Sequence, residues 1–457
     1  MNPDDPSTIE ADRYRTVLLL GLLVLAYMSA DLASLTLAFD GAVYATIAKL
    51  FASGVGEFWY LPNFETYPER FVDHPPLGIY MTSLWMQVFG SAFWTPKLLH
   101  LVLFFTSVFV IAELAKMHSI SPWLAVLFFV VMPQTTATFT GGYLESFVIT
   151  WSLLAVWALL RAWHSLGWAL IYGAFVAAAV LTKGPVGLFT LTAPLGLWAV
   201  HRQFWRPFLI GCLALVPLLL LAALTFFNEG AREFVEQYWA QQVWASISGE
   251  RPVQEDRIDL LLWLSVHLGV VILVAALLVR RRPALSKSSW LWVILTFAGS
   301  LPLLISARTY PHYIAPVLPF LALAAASALT PVKLPAWVHN SNYPIFAATL
   351  VCIVIAIQAW STPGDHAKDI NGAREIAKSV DRLAFCDPQK GLRTRVYSSL
   401  YHGIRPQPLE RVDVERGLGT LGILCDKPPA TNHVAIAELN RDLNLWVVHA
   451  ADNNSNK

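Results

Sequence analysis

Apolar positions in this chain fall in long unbroken blocks, and the polar ones are crowded between them. Phe208–Phe227 and Leu260–Val279 run with almost no charge inside. A block of about twenty apolar residues is what a helix needs to cross the hydrocarbon layer, where each backbone N–H and C=O must find its partner inside the helix itself. The pattern predicts eleven spans, near 16–37, 93–115, 121–139, 144–162, 167–183, 185–200, 207–227, 259–279, 289–307, 311–330 and 342–360. The first run, Val17–Leu37, is too long for the core of a cleavable signal and has no small-residue cleavage site, so it reads as a retained helix.

Pro75–Phe89 is apolar enough to suggest a twelfth span, and charge decides against it. Counted as a span, it reverses every later loop and sends Arg280–Arg282 outside. Without it, Arg13, Arg15, Lys116, His118, Arg161, Arg202, Arg206, Arg280–Arg282 and Lys333 share the side of the N-terminus. The positive-inside rule makes that side cytoplasmic. Pro75–Phe89 is also short and opens with two prolines, and it reads as a helix lying in the outer interface. Four segments then face outward: the loop 38–92, the turn 139–145, the loop 228–258, and the tail from Ser361 to Lys457. The expectation is a bacterial inner-membrane protein with a cytoplasmic N-terminus and a periplasmic C-terminus.

Composition agrees with the pattern. Hydrophobic residues make up 56% of the 457 and charged residues only 14%, against ~25% charged in a soluble domain; mean hydropathy is +0.52. Lys and Arg number 32 against 31 Asp and Glu, so no basic surplus points to nucleic acid. The 18 tryptophans suit a protein with much interfacial surface. After residue 360 the composition turns polar. Ile370, Ala373, Ile376, Ala377, Val380 and Leu383 keep helical spacing, and alternating apolar runs follow at Thr394–Leu400, Val434–Leu439 and Leu443–Val448. The expected architecture is an all-α polytopic membrane domain, 1–360, followed by a small extracytoplasmic α/β domain, 361–457. No internal repeat of the transporter kind is visible.

Carboxylates and cations collect on the outward side. Asp40 follows the first span in Phe39-Asp40-Gly41-Ala42-Val43-Tyr44-Ala45. Then come Asp73-His74-Pro75-Pro76-Leu77-Gly78, Gly142-Tyr143-Leu144-Glu145, Leu181-Thr182-Lys183-Gly184-Pro185, and Arg308-Thr309-Tyr310-Pro311-His312-Tyr313-Ile314-Ala315-Pro316. An acid beside a span is costly if it faces lipid, so it normally faces water or a cavity.

In order and spacing these motifs resemble the GT-C superfamily of membrane glycosyltransferases, nearest its bacterial branch of protein O-mannosyltransferases and lipid A aminoarabinose transferase. The resemblance covers roughly residues 15–330. It implies that Asp40 is the catalytic base, with Glu145 the second catalytic acid. It implies that Lys183, Arg308, His74, His312 and Tyr313 surround the donor phosphate, and that Asp73, Tyr44 and Tyr310 contact substrate. Two departures stand out: Gly41 follows the aspartate where many relatives carry Glu, and His74 precedes Pro75 where the aminoarabinose branch carries Lys. That branch's substrate is therefore not carried over.

The implied reaction moves a sugar from a polyprenyl-phosphate donor to an acceptor lipid, glycan or protein. A carboxylate near the acceptor hydroxyl takes its proton, and cations steady the departing lipid phosphate. One direct displacement inverts the anomeric centre; a retaining route would need an enzymic nucleophile. The acidic residues offer oxygen ligands suited to a divalent cation, though no ligand spacing enforces one. Plainer roles compete with each assignment. Asp40 also suits a solvated interfacial acid. Asp73 also suits the cap of the helix starting at Pro75. Glu145 favours a helix dipole, Lys183 can snorkel to headgroups, Arg308 can anchor them, and His74 and His312 fit an interface. A transporter or lipid flippase is the rival from another class, but it calls for ionisable groups at mid-membrane. A scaffold presenting the tail would not need the acidic first loop.

Cys212 and Cys352 fall inside spans, where a thiol behaves as a small apolar residue. Cys386 and Cys425 fall in the tail, which the topology places in an oxidising compartment, so a Cys386–Cys425 disulfide is expected.

Overall fold

The computed structural model describes residues 28–29, 31–64, 69–248, scattered positions between 262 and 272, 289–305 and 310–328. Beyond these it describes 367–387, 392–404, 406–408, 420–425, 434–440 and 443–448. In chain order the helices are α1 (Phe39–Ala52), α2 (Leu77–Phe89), α3 (Trp94–Met117), α4 (Pro122–Val131), α5 (Pro133–Thr140), α6 (Glu145–Ala162) and α7 (Gly167–Lys183). They continue as α8 (Ala193–His201), α9 (Trp205–Phe227), α10 (Glu229–Tyr238), α11 (Ser289–Ile305), α12 (Leu318–Ala328), α13 (Ala367–Ser379) and α14 (Leu392–His402). The strands are β1 (Arg382–Phe385), β2 (Pro406–Pro408), β3 (Leu421–Cys425), β4 (Val434–Asn440) and β5 (Leu443–Val448). Two compact units emerge. The first comprises Met1–Ala33, Val72–Gly78 and Lys97–Ala359; the second comprises Ser34–Phe71, Ile79–Pro96 and Trp360–Lys457.

The first unit is built from apolar helices. Among the described residues, five helical stretches are long and apolar enough to cross a membrane: α3, α6, Gly167–His201, α9 and Pro311–Ala328. The pair α4–α5 makes a sixth if it is one bent span. The expected spans at 16–37, 259–279 and 342–360 lie wholly or mostly outside the described residues, as do Arg280–Arg282 and Lys333. Gly167–His201 is helical throughout but not straight. The Tyr172 hydroxyl donates to the Thr190 carbonyl at 2.7 Å, although eighteen residues of straight helix would separate them by about 27 Å. The chain reverses at Gly184, whose φ of +74° suits glycine. Gly187 then packs back on the Ala179–Val180 backbone, with room for no side chain. Two antiparallel helical segments result.

The span expected over 121–139 falls on α4 and α5, which are not collinear. Pro133 holds Met132 extended (φ −72°, ψ 120°), as a residue before proline prefers, and α4 and α5 meet at 73°. Burial separates the remaining helices. The apolar window of α6 is 78% buried and that of α9 only 11%, so α6 forms the interior of the unit and α9 its surface among the described residues. Where α7 meets α9, Gly173 sits on the backbone of Ala214, the close approach that small residues permit. Polar pairs join α3 to α6: His100 to Ser146 at 2.6 Å and Ser107 to Thr150 at 3.0 Å.

The second unit combines most of the loop 38–92 with the tail. Its sheet runs β2-β1-β3-β5-β4; β1 pairs in parallel with β2 and β3, and β5 pairs antiparallel with β3 and β4. Ile376 and Val380, from α13 and just after it, pack with Leu383, Phe385, Ile404, Leu424 and Leu445 as its core. Cys386 and Cys425 are joined by a disulfide, with Cα atoms 5.4 Å apart. Thr394–Leu400, whose alternation suits a strand, is helix α14 instead. Val396 and Leu400 stand four residues apart, and the intervening Tyr397, Ser398 and Ser399 are also buried, so enclosure on all sides removed any pattern of faces. The tail and the loop touch. The Tyr397 hydroxyl donates to the Leu37 carbonyl at 3.0 Å, Tyr401 to the Leu35 carbonyl, and the Lys49 ammonium to the Leu400 carbonyl at 2.5 Å. Segments in such contact lie on one side of a membrane.

Candidate active site

In the first unit the ends of several helices bring four sequence motifs together. Gly142, with φ of +76°, turns the chain between α5 and α6 and sets Glu145 on the first turn of α6. Lys183 ends α7 just before the reversal at Gly184. His312 lies on the short 3₁₀ turn Pro311–Val317 that leads into α12. The Lys183 ammonium donates to Glu145 Oε1, and His312 Nε2 stands 3.6 Å from the same oxygen. Both partners of the ion pair are out of solvent, with side chains 1% and 8% exposed. Glu145 Oε2 is buried with no hydrogen-bond partner among the described residues. A carboxylate so enclosed is tolerable only because cationic and polar groups surround it.

Aromatic rings wall this cluster. The Lys183 ammonium lies 4.9 Å from the centroid of the Tyr313 ring, a favourable cation–π distance. His312 is sandwiched between Tyr143, at 4.5 Å, and Tyr310, at 5.4 Å, both nearly parallel to it. The Asp73–Gly78 segment reaches the same helix ends. A β-carbon on Gly78 would come 2.7 Å from the Leu144 side chain and 3.0 Å from that of Thr182, so the segment passes close to the neighbours of Glu145 and Lys183. Asp73 is exposed and accepts a hydrogen bond from the Gln242 side chain. His74 is half-buried beside it. Arg308 lies outside the described residues.

Two residues that the sequence reading passed over join this cluster from the loop 228–258. Asn228 caps α10 by accepting from the Ala231 N–H at 2.9 Å. Phe234 is buried and stacks on Tyr238 one turn later, 5.9 Å between centroids. The Tyr238 hydroxyl lies against Gly184, where any side chain would displace it. Burial first, and the charge of Asp73 second, push the Tyr238 hydroxyl above its usual pKa, so it stays protonated and a donor. Gln242 follows in a π-helical turn, Trp239–Trp244. The available signal was the four-residue spacing of Phe234 and Tyr238. Tyr143 stood in plain view two residues before Glu145.

Asp40 and Tyr44 belong to the second unit. Asp40 is half-buried on the first turn of α1, where a carboxylate complements the helix dipole. Tyr44 is buried one turn later, its ring edge-on to Phe71 at 6.4 Å. The chain just before α1 is held by α14 through Tyr397 and Tyr401, whose hydroxyls burial pushes well above the usual range. Both therefore remain donors to the Leu37 and Leu35 carbonyls. Among the described residues no group of three or more His, Cys, Asp or Glu side chains could hold a metal ion.

Comparison with known proteins adds to this geometry. A family profile for dolichyl-phosphate-mannose-protein mannosyltransferases matches residues 73–228, from Asp73 to just beyond α9. The crystal structure of ArnT from Cupriavidus metallidurans bound to undecaprenyl phosphate is 16% identical, with a TM-score of 0.66 over 96% of this chain and 99% of that one. Its apo state gives 0.65, over 96% and 98%. The fold is that of the GT-C glycosyltransferases. The oligosaccharyltransferase of Archaeoglobus fulgidus is more distant, at 12% identity and a TM-score of 0.48, over 87% of this chain and 65% of that one. No curated protein sequence matches. On the GT-C fold, Asp73, His74, Glu145 and Lys183 all fall within the stretch matched by the family profile, whereas Asp40 and His312 lie outside it.

Proposed function

We propose that the chain transfers a sugar from a polyprenyl-phosphate carrier to a lipid, glycan or protein acceptor on the periplasmic face of a bacterial inner membrane. The observation that carries this reading is the buried cluster of Glu145, Lys183 and His312 on a GT-C fold. It is supported by the ArnT structure of similar fold, which holds undecaprenyl phosphate, and by the profile of a family that uses dolichyl-phosphate mannose. The membrane domain is taken as 1–360 and the periplasmic domain as 361–457.

The steps follow from the charges. Asp40 takes the proton of the acceptor hydroxyl as its oxygen bonds to the anomeric carbon. The bond from that carbon to the phosphate oxygen breaks on the opposite face, and the configuration inverts. Negative charge grows on the departing polyprenyl phosphate, and Lys183, His312, His74 and Arg308 supply cations or donors to it in a partly dry site. Glu145, buried and bonded to Lys183, holds Lys183 and His312 in place. Asp73, Tyr44 and Tyr310 contact the substrates, and Tyr313 supports Lys183 through its ring. The test is sugar transfer from a polyprenyl-phosphate donor by purified protein, wild type beside Asp40→Asn. Transfer by the wild type alone supports the reading. Movement of intact donor across a bilayer, with no cleavage, would make the protein a flippase instead.

A further inference from the structure

The second unit contains a cavity of about 390 Å³ between α1, α2 and α14, within the ~300–1,000 Å³ of small-molecule sites. None of the residues assigned to the reaction lines it. Its wall carries Thr46, Lys49, Ser53, Gln87, Ser91 and Ser399. Lys49 is half-buried; its ammonium donates to the Leu400 carbonyl at 2.5 Å and has no carboxylate partner among the described residues. Arg374, on α13, hydrogen-bonds the Asn371 side chain at 3.4 Å among the described residues. His402, at the end of α14, lies near both: burial lowers its pKa, and the charges of Arg374 and Lys49 lower it further. Burial lowers that of Lys49 as well. The side chains of Gln87, Ser91 and Ser399 make no hydrogen bond within the described residues. Lys49 thus lines a cavity that has hydroxyl and amide side chains and no Asp or Glu among its lining residues, and His402, close to both Lys49 and Arg374, adds to the basic character of this region. Such a site gains from an anion with several acceptor oxygens.

We propose that this cavity binds a phosphate-type oxyanion, with Lys49 as its main cation and the Ser91 and Ser399 hydroxyls as neutral donors. The phosphate belongs either to the headgroup of an anionic lipid or to a free ion, and binding here is independent of the transfer reaction. The plainer role of Lys49 is to satisfy the last carbonyls of α14. That role predicts a loss of stability on substitution but no change in ligand binding.

The experiment uses full-length protein in phosphate-free detergent, with Lys183→Ala as background to disable the candidate donor site. Inorganic phosphate and a short-chain phosphatidic acid are titrated separately, against chloride at equal ionic strength, and thermal unfolding and Kd are read. Saturable stabilisation by either ligand is expected, with Kd raised about tenfold or more by Lys49→Met and recovered by Lys49→Arg. A response to the lipid alone assigns a headgroup; a response to both assigns the oxyanion itself. Stabilisation equal to that by chloride, or unchanged Kd in Lys49→Met, overturns the proposal. If Lys49→Met does not fold, Ser91→Ala with Ser399→Ala decides it: a Kd raised severalfold sustains the site, and an unchanged one removes it.

Discussion

Charged groups are handled in opposite ways by the two units. In the first, Glu145 and Lys183 are taken out of water and paired, with aromatic rings around them. In the second, Asp40 and Lys49 remain half-exposed, on a helix whose approach is pinned by tyrosines of the tail. Burial of an ion pair costs desolvation, and the pair persists because each partner neutralises the other. In return its geometry is fixed, and water does not screen it. That suits the holding of a lipid phosphate. A half-exposed carboxylate is poor at holding an anion but can exchange its proton with an acceptor and then with solvent. On the proposed reading, holding the donor phosphate falls to the first unit and proton transfer to the second.

The largest effect expected from breaking this contrast is on turnover. Asp40→Asn lowers transfer by ~10²–10⁴-fold while membrane insertion and thermal unfolding stay as in the wild type; activity above about half would end its role as base. Glu145→Gln strands a buried lysine and destabilises the first unit by ~3–5 kcal/mol, read by denaturant unfolding. Adding Lys183→Met recovers part of that loss, because the double variant no longer buries an unpaired charge. Additive losses would mean that the pair is not coupled. Removal of the Cys386–Cys425 bridge with serine at both positions costs the second unit ~4 kcal/mol by the chain-entropy estimate for a loop of about 40 residues. Hydrogen exchange checks this, with faster exchange expected in the tail strands and none in α6. Lys183→Ala weakens donor binding by about tenfold or more, one charge-assisted hydrogen bond, with acceptor KM little changed. An unaffected donor Kd would return Lys183 to the part of a headgroup anchor. The gentlest perturbation is topological. Cysteines placed at Ser91 and Thr140 both label from outside with an impermeant reagent; labelling of the first only from the cytoplasm would mean that α2 crosses the membrane.

Much of this was legible in the chain. The turn at Gly184-Pro185 that reverses the helical stretch Gly167–His201 was visible because Gly and Pro interrupt an apolar run there. The pairing of Cys386 with Cys425 followed from the side of the membrane alone. Glu145, Lys183 and His312 could be named as candidates from their places at span ends, but not that all three converge on one carboxylate oxygen; that depends on helix packing. The bend at Met132–Pro133 was hidden because the apolar count runs straight through it. Tyr238 and Gln242 were missed because a loop's contacts are set by where the loop folds back. Thr394–Leu400 misled because a helix enclosed on every side shows no periodicity of its own. The strands Arg382–Phe385 and Leu421–Cys425, four and five residues long, are too brief to display one.

The division of labour between the units is tested most directly by donor affinity in the Asp40→Asn variant, measured by titrating purified protein with a polyprenyl-phosphate sugar. The expected Kd lies within about threefold of the wild-type value, in a protein that no longer transfers sugar. A Kd raised as far as that of Lys183→Ala would contradict it, because Asp40 would then serve the binding of the carrier and the base would have to be sought elsewhere.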